Sequence, residues 1–289
     1  MTGARAVVRA NVAPMRAEPE PRSEQVSQAL FGETVEVLED DGAARALGDS
    51  QPGWLRIRTP DGYAGWTARA ALALLESGER YPEPARAAMT APLFLPVFSE
   101  PTARSERLTL LTLGATVEIA RRDATSAYYP IRLPGGGEGW VEGGALIIPK
   151  FPPRNSLGVN LTIVARGLIG VPYLWGGRTP FGMDCSGFTQ RVFALCGVML
   201  PRDAWQQAES AELVPVDPGC LDAGDLVFFL GPSDPRGRGI THVGLALGAG
   251  RVIHASSEAG VAAARLDEPP LSTRYRVVCA RRTIAAEGD

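Results

Sequence analysis

At 289 residues, with 45% apolar and 21% charged side chains, the chain can build two or three cored domains and has the balance of an ordinary soluble protein. A formal net charge of −3 and a pI near 5.6 offer no general attraction to phosphate backbones, which argues against nucleic acid as a partner. No stretch approaches the ~20 apolar residues needed to span a bilayer, and residues 1–10 hold no continuous apolar leader. The chain therefore reads as cytoplasmic, or as exported if a signal peptide has been removed; it carries no signal for an oligomeric state.

The N-terminal half repeats itself. Gly32-Glu-Thr-Val-Glu-Val37 returns as Gly114-Ala-Thr-Val-Glu-Ile119, and Tyr63-Ala-Gly-Trp66 returns approximately as Gly137-Glu-Gly-Trp-Val141. Alternating apolar residues (Val35 and Val37, Leu55 and Ile57, Val117 and Ile119) between turn signals such as Asp61-Gly62 and Pro134-Gly135 predict short antiparallel strands, hence two small β-barrels. Short strands, a glycine-led central strand and a terminal Gly-Trp resemble bacterial SH3 domains. The first copy is longer, and the surplus in residues 40–53 is polar and reads as a surface loop. Proline-rich joins at Tyr81-Pro-Glu-Pro84 and Pro149-Lys-Phe-Pro-Pro153 divide the chain into 1–80, 81–150 and 151–289.

After the second join, Asn155 or Ser156 can cap a helix whose Leu157, Leu161, Val164, Ala165 and Leu168 share a face, ending near Gly170. A glycine-rich loop from Tyr173 then runs into Asp184-Cys185-Ser186-Gly187, and Phe188, Val192, Leu195 and Cys196 recur at helical spacing. Cys185 should open that helix, where unpaired backbone N–H groups and the macrodipole favour a thiolate and can lower its pKa. The chain has only two histidines, His242 and His254, in two strand-like segments joined through Gly248-Ala249-Gly250. A cysteine followed far downstream by histidine is a candidate nucleophile and base, with His254 placed to orient His242. Helices first and an antiparallel sheet afterwards make this an α+β domain.

Strand parity adds a condition. Side chains alternate along a strand, so His242 and His254 share a face only if opposed residue numbers sum to an even value. A plain two-residue turn at Ala249-Gly250 pairs Gly248 with Arg251, an odd sum, and separates the imidazoles. Either a three-residue loop or a β-bulge between the histidines is therefore expected, with Gly244 leaving room for the rings.

Tyr173-Leu-Trp-Gly-Gly, Asp184-Cys-Ser-Gly-Phe, Leu200-Pro-Arg-Asp203, Gly224-Asp-Leu-Val-Phe-Phe229, Thr241-His-Val-Gly244 and Val252-Ile-His-Ala255, in this order, closely resemble the NlpC family of papain-like cell-wall cysteine peptidases. The resemblance implies a papain-like catalytic domain with Cys185 as nucleophile, His242 as base, His254 as orienting residue and Tyr173 beside the oxyanion, and no cofactor. It is closest to members with tandem SH3 modules, which cut between D-glutamate and the diamino acid of peptidoglycan stem peptides and prefer a free N-terminal L-alanine. On that basis Asp184, Ser186 and Trp175 are expected at the substrate. Asp203 either receives the substrate ammonium or caps the following helix, and Tyr63, with Glu33, closes one end of the groove. Relatives often have serine where Ala204 stands, which removes one hydroxyl.

Two other classes remain open on residues alone. One is a zinc hydrolase using His242, His254 and a carboxylate such as Asp225. The other is a catalytically silent murein-binding protein.

Overall fold

The computed structural model describes residues 3–42, 53–121, 126–147 and 157–284. Most of the surplus loop of the first repeat and the Asn155 and Ser156 cap lie outside the described residues, as does the second proline-rich join. The chain divides into two compact units, Met1–Pro149 and Lys150–Asp289.

The first unit holds two sheets with one topology used twice. β1 (Arg5–Val8), β2 (Val12–Arg16), β3 (Gln25–Leu30), β4 (Thr34–Asp40), β5 (Trp54–Arg58), β6 (Ala64–Ala68) and β7 (Leu72–Leu74) run in the order β3-β2-β6-β5-β4-β1-β7. The second sheet has β8 (Ala87–Thr90), β9 (Phe94–Phe98), β10 (Arg107–Thr112), β11 (Thr116–Ile119), β12 (Tyr128–Arg132), β13 (Glu138–Glu142) and β14 (Leu146–Ile147), ordered β10-β9-β13-β12-β11-β8-β14. Adding seven to each label of the first order gives the second. The repeated glycine-led segments become β4 and β11, and the repeated tryptophans lie in β6 and β13. Each sheet wraps its own core, built around the residues whose alternation marked the strands: Val35, Val37, Leu55 and Ile57 in one, Val117 and Ile119 in the other, where Ile131 joins them. Phe31, from the first repeat, is buried in the second core, and its carbonyl accepts from Thr116 N–H at 3.0 Å. The two sheets are thereby tied into one unit.

The second unit is α+β. α1 (Leu157–Gly167) buries Leu157, Leu161 and Ala165 at the spacing expected of a one-sided helix. β15 (Arg178–Thr179) and β16 (Gly182–Met183) form a small hairpin, followed by α2 (Cys185–Leu195) and α3 (Ala204–Ala208). The main sheet contains β17 (Leu213–Val216), β18 (Leu226–Leu230), β19 (His242–Gly248), β20 (Arg251–Ser256), β21 (Gly260–Arg265) and β22 (Arg276–Thr283), with α4 (Leu271–Arg274) before the last strand. Its order is β17-β22-β18-β19-β20-β21 and every pair is antiparallel. α1 packs on β19 and α2 on β19 and β20, which brings α2 to the histidine strands. Among the described residues no helix is long and apolar enough to cross a membrane.

Candidate active site

The parity condition is met by a bulge. Gly248 pairs with Arg251 around a two-residue turn, Ala249 and Gly250, both with positive φ. Between Ala246 and Gly248 the register shifts, so Leu247 is the extra residue, and the ladder continues as Ala246↔Val252 and Leu245↔Ile253. Opposed numbers now sum to an even value and both imidazoles fall on one face. His242 Nε2 and His254 Nδ1 lie 2.8 Å apart with the rings at 89°. A Cβ on Gly244 would press on His254 Cβ at 3.3 Å, so the small residue leaves that ring its place.

The nucleophile candidate is held from the other side. Asp184 is the N-cap of α2: its Oδ1 accepts from Gly187 N–H at 2.7 Å, and its Oδ2 accepts from Gly176 N–H at 2.9 Å. A Cβ on Gly187 would lie 2.0 Å from the Gly177 carbonyl oxygen, so only glycine lets the loop close this tightly on the helix. Arg202, 1% exposed, grips the same carboxylate through both nitrogens, at 3.0 and 2.6 Å, and donates to Ser186 Oγ at 2.9 Å. The sulfur of Cys185 is approached by the backbone N–H groups of Val243, the residue after His242, and of Ser186. Because His242 Nε2 is engaged by His254, Nδ1 is the ring nitrogen outside that contact.

The electrostatics of the resting site differ from the sequence expectation. Burial, reinforced by the Asp184 charge, pushes the Cys185 thiol up to about 12 against the pull of the two N–H groups and Arg202. The helix N-terminus does not win here because Cys185 is only 8% exposed and a thiolate would lose its hydration. Burial also lowers His242 to about 3, helped by His254 and Arg274, and lowers His254 to about 4. Thiol and imidazoles are thus all neutral at rest.

Tyr173 bridges to Met183 at the mouth of the loop, and burial followed by the proximity of Cys185 raises its phenol. A second tyrosine had no sequence signal: Tyr275 stacks on His242 with centroids 4.5 Å apart and planes 23° apart. It is brought there by β22, which pairs with β18 next to β19, a long-range consequence of strand order. Arg202 stands in the Leu200-Pro-Arg-Asp203 motif but was assigned no role, since an arginine is by default a surface residue.

The model of the NlpC/P60 family matches residues 170–281, and that of the bacterial SH3 domain matches 11–73 and 94–147. The γ-D-glutamyl-L-lysine dipeptidyl-peptidases of Bacillus cereus and Bacillus subtilis are 29% and 30% identical to this chain. The alignments cover 79% of it in each case, and 66% and 71% of the relatives, so the chain spans just under two thirds of the first. The chain belongs to the NlpC/P60 family. A crystal structure of an NlpC/P60 family protein from Bacillus cereus shares the fold, with a TM-score of 0.76 at 21% identity over 97% of this chain and 99% of that one.

Within this NlpC/P60 chain, each expected site residue can be placed within its own unit. His242 and His254 meet at 2.8 Å, the N–H of Val243 beside His242 approaches the Cys185 sulfur, and Cys185 lies near the Tyr173 phenol. Asp184 and Ser186, expected at the substrate, are buried and turned to Arg202, which makes them part of the mount for Cys185. Asp203 caps α3 in a reciprocal box with Gln206, whose Oε1 accepts Asp203 N–H at 3.1 Å. Trp175 stands on the loop at 56% exposure. Tyr63 and Glu33 belong to the first unit: Tyr63 packs on the core of its first sheet, and Glu33 Oε2 accepts Leu30 N–H at 3.0 Å to close a turn. The zinc alternative loses its third ligand. Asp225 pairs with Arg282 through both oxygens, at 2.7 and 2.8 Å, and among the described residues no three of His, Cys, Asp and Glu gather to hold a metal ion.

Proposed function

We propose that the chain is a cysteine peptidase that hydrolyses the bond between γ-D-glutamate and a diamino acid in peptidoglycan stem peptides bearing a free N-terminal L-alanine. The observation that carries the reading is the 2.8 Å contact between His242 Nε2 and His254 Nδ1 beside the Val243 N–H that approaches the Cys185 sulfur. The names of the two Bacillus relatives supply the bond.

Chemistry follows from the neutral resting site. As the γ-carbonyl carbon approaches, the thiol proton moves to His242 Nδ1 and the sulfur attacks, so charge develops only when both partners of the ion pair form together. His254 accepts from His242 Nε2–H and holds the ring in the required tautomer. The oxyanion faces Cys185 N–H, which at the first helical position has no intrahelical acceptor, with the Tyr173 hydroxyl as a second donor. Protonated His242 delivers its proton to the leaving amine, and water then hydrolyses the thioester. Asp203 would receive the ammonium of the substrate while it caps α3, and a peptide in the cytoplasm is the proposed setting.

Mass spectrometry of products from stem peptides with free and with acetylated N-termini tests bond and end preference together. The reading predicts release of the diamino acid from the free peptide, much slower turnover after acetylation, and a smaller acetylation penalty in Asp203→Ala. Cleavage between L-alanine and D-glutamate would refute it.

A further inference from the structure

A cavity of about 130 Å³ opens beside His254, far larger than the roughly 10–15 Å³ that admits one water. Its floor includes Ala262, which pairs with His254 across β20 and β21, and Ala264. Tyr275 forms one wall, and its ring is the one stacked on His242. Arg274 and Glu258 also line the cavity, joined in an ion pair and exposed at 41% and 46%.

We propose that this cavity receives the amine side of the scissile bond, a diamino acid whose aliphatic chain lies over Ala262 and Ala264, whose distal ammonium meets Glu258 and whose carboxylate meets Arg274. The inference rests on the γ-D-glutamyl reading above. Two features support it. The leaving amine must take its proton from His242, and the cavity begins one aromatic ring away from that imidazole. A free diamino acid carries one anionic and one cationic group beyond the reacting nitrogen, joined by methylenes; the cavity offers one cation, one anion and a floor of methyl groups. An exposed ion pair is weakly held, so exchanging it for ligand charges costs little.

The test compares kcat/KM for L-Ala-γ-D-Glu-L-Lys and for L-Ala-γ-D-Glu-methylamide, which has the same acyl half and almost no leaving side. In Ala262→Leu the lysine-to-methylamide ratio should fall about tenfold or more, chiefly through KM, because the side chain fills the floor. In Glu258→Gln it should fall about threefold, and norleucine in place of lysine should cancel that loss. Glu258 is exposed, so this second variant keeps the test intact if the bulkier side chain disturbs folding. Unchanged ratios in both variants would overturn the proposal. A wild type that cleaves neither compound would overturn the γ-D-glutamyl reading, and this inference with it.

Discussion

Replacing Arg202 by methionine should destabilise the second unit more than any other single change near the site. The guanidinium makes two hydrogen bonds to Asp184 and one to Ser186, and the side chains of the ion pair are 1% and 9% exposed. Methionine keeps the length and apolar stem but leaves the Asp184 carboxylate buried without its counter-charge, a loss of about 3–5 kcal/mol. At about 2–4 °C per kcal/mol for a unit of this size, the melting temperature should drop by roughly 10 °C. Because the chain has two units, the transition must be read from the second one alone. Reaction of Cys196, 5% exposed in the fold, with a thiol reagent during heating reports it in a Cys185→Ala, Cys220→Ser, Cys279→Ser background. Arg202→Lys should fall between, since an ammonium cannot bridge both carboxylate oxygens in the same fork. A shift below about 3 °C in Arg202→Met would mean that Asp184 is held by its backbone donors alone and that the ion pair is incidental.

Acid should act on the histidines before the carboxylates. With His242 lowered to about 3 and His254 to about 4, the unfolded chain binds more protons than the folded one as pH falls below 6.5, so stability is complete above that value and declines through the window from 6.5 to about 3. At pH 5.5 the pair should cost roughly 3 kcal/mol, and His254→Gln should remove about half of it; a melting temperature flat from pH 7.5 to 5 would contradict this. Deleting Leu247 should abolish hydrolysis, because the bulge that returns His242 and His254 to one face disappears, whereas Leu247→Ala keeps parity and should retain activity. Wild-type turnover in the deletion variant would remove His254 from the catalytic set.

The repeat and the helix positions were legible because their signals are local: Val35, Val37, Val117 and Ile119 alternate, and Leu157, Leu161 and Ala165 recur at helical spacing. The histidine geometry was legible because parity is arithmetic on residue numbers, and the structure chose the bulge over the longer loop since Ala249 and Gly250 adopt the positive φ of a tight turn. The direction of the Cys185 pKa was not legible. It depends on how deeply α2 sinks against β19, and that is a tertiary quantity. Arg202 and Tyr275 were given no role for the same reason: one is made internal by Asp184, eighteen residues away in the chain, and the other is delivered by the last strand of the sheet. Asp184 and Ser186 lie in the right motif, yet which way their side chains turn is decided by that arginine.

The most direct test of the account is to trap the acyl-enzyme. Wild-type protein mixed with L-Ala-γ-D-Glu-L-Lys and quenched in acid should yield, on peptide mapping by mass spectrometry, an L-alanyl-γ-D-glutamyl thioester on the peptide containing Cys185. Cys185→Ala should fold, bind no acyl group and release no lysine. Full hydrolysis by Cys185→Ala, or an acyl group found on Cys196, Cys220 or Cys279 instead, would contradict the assignment of Cys185 as the nucleophile.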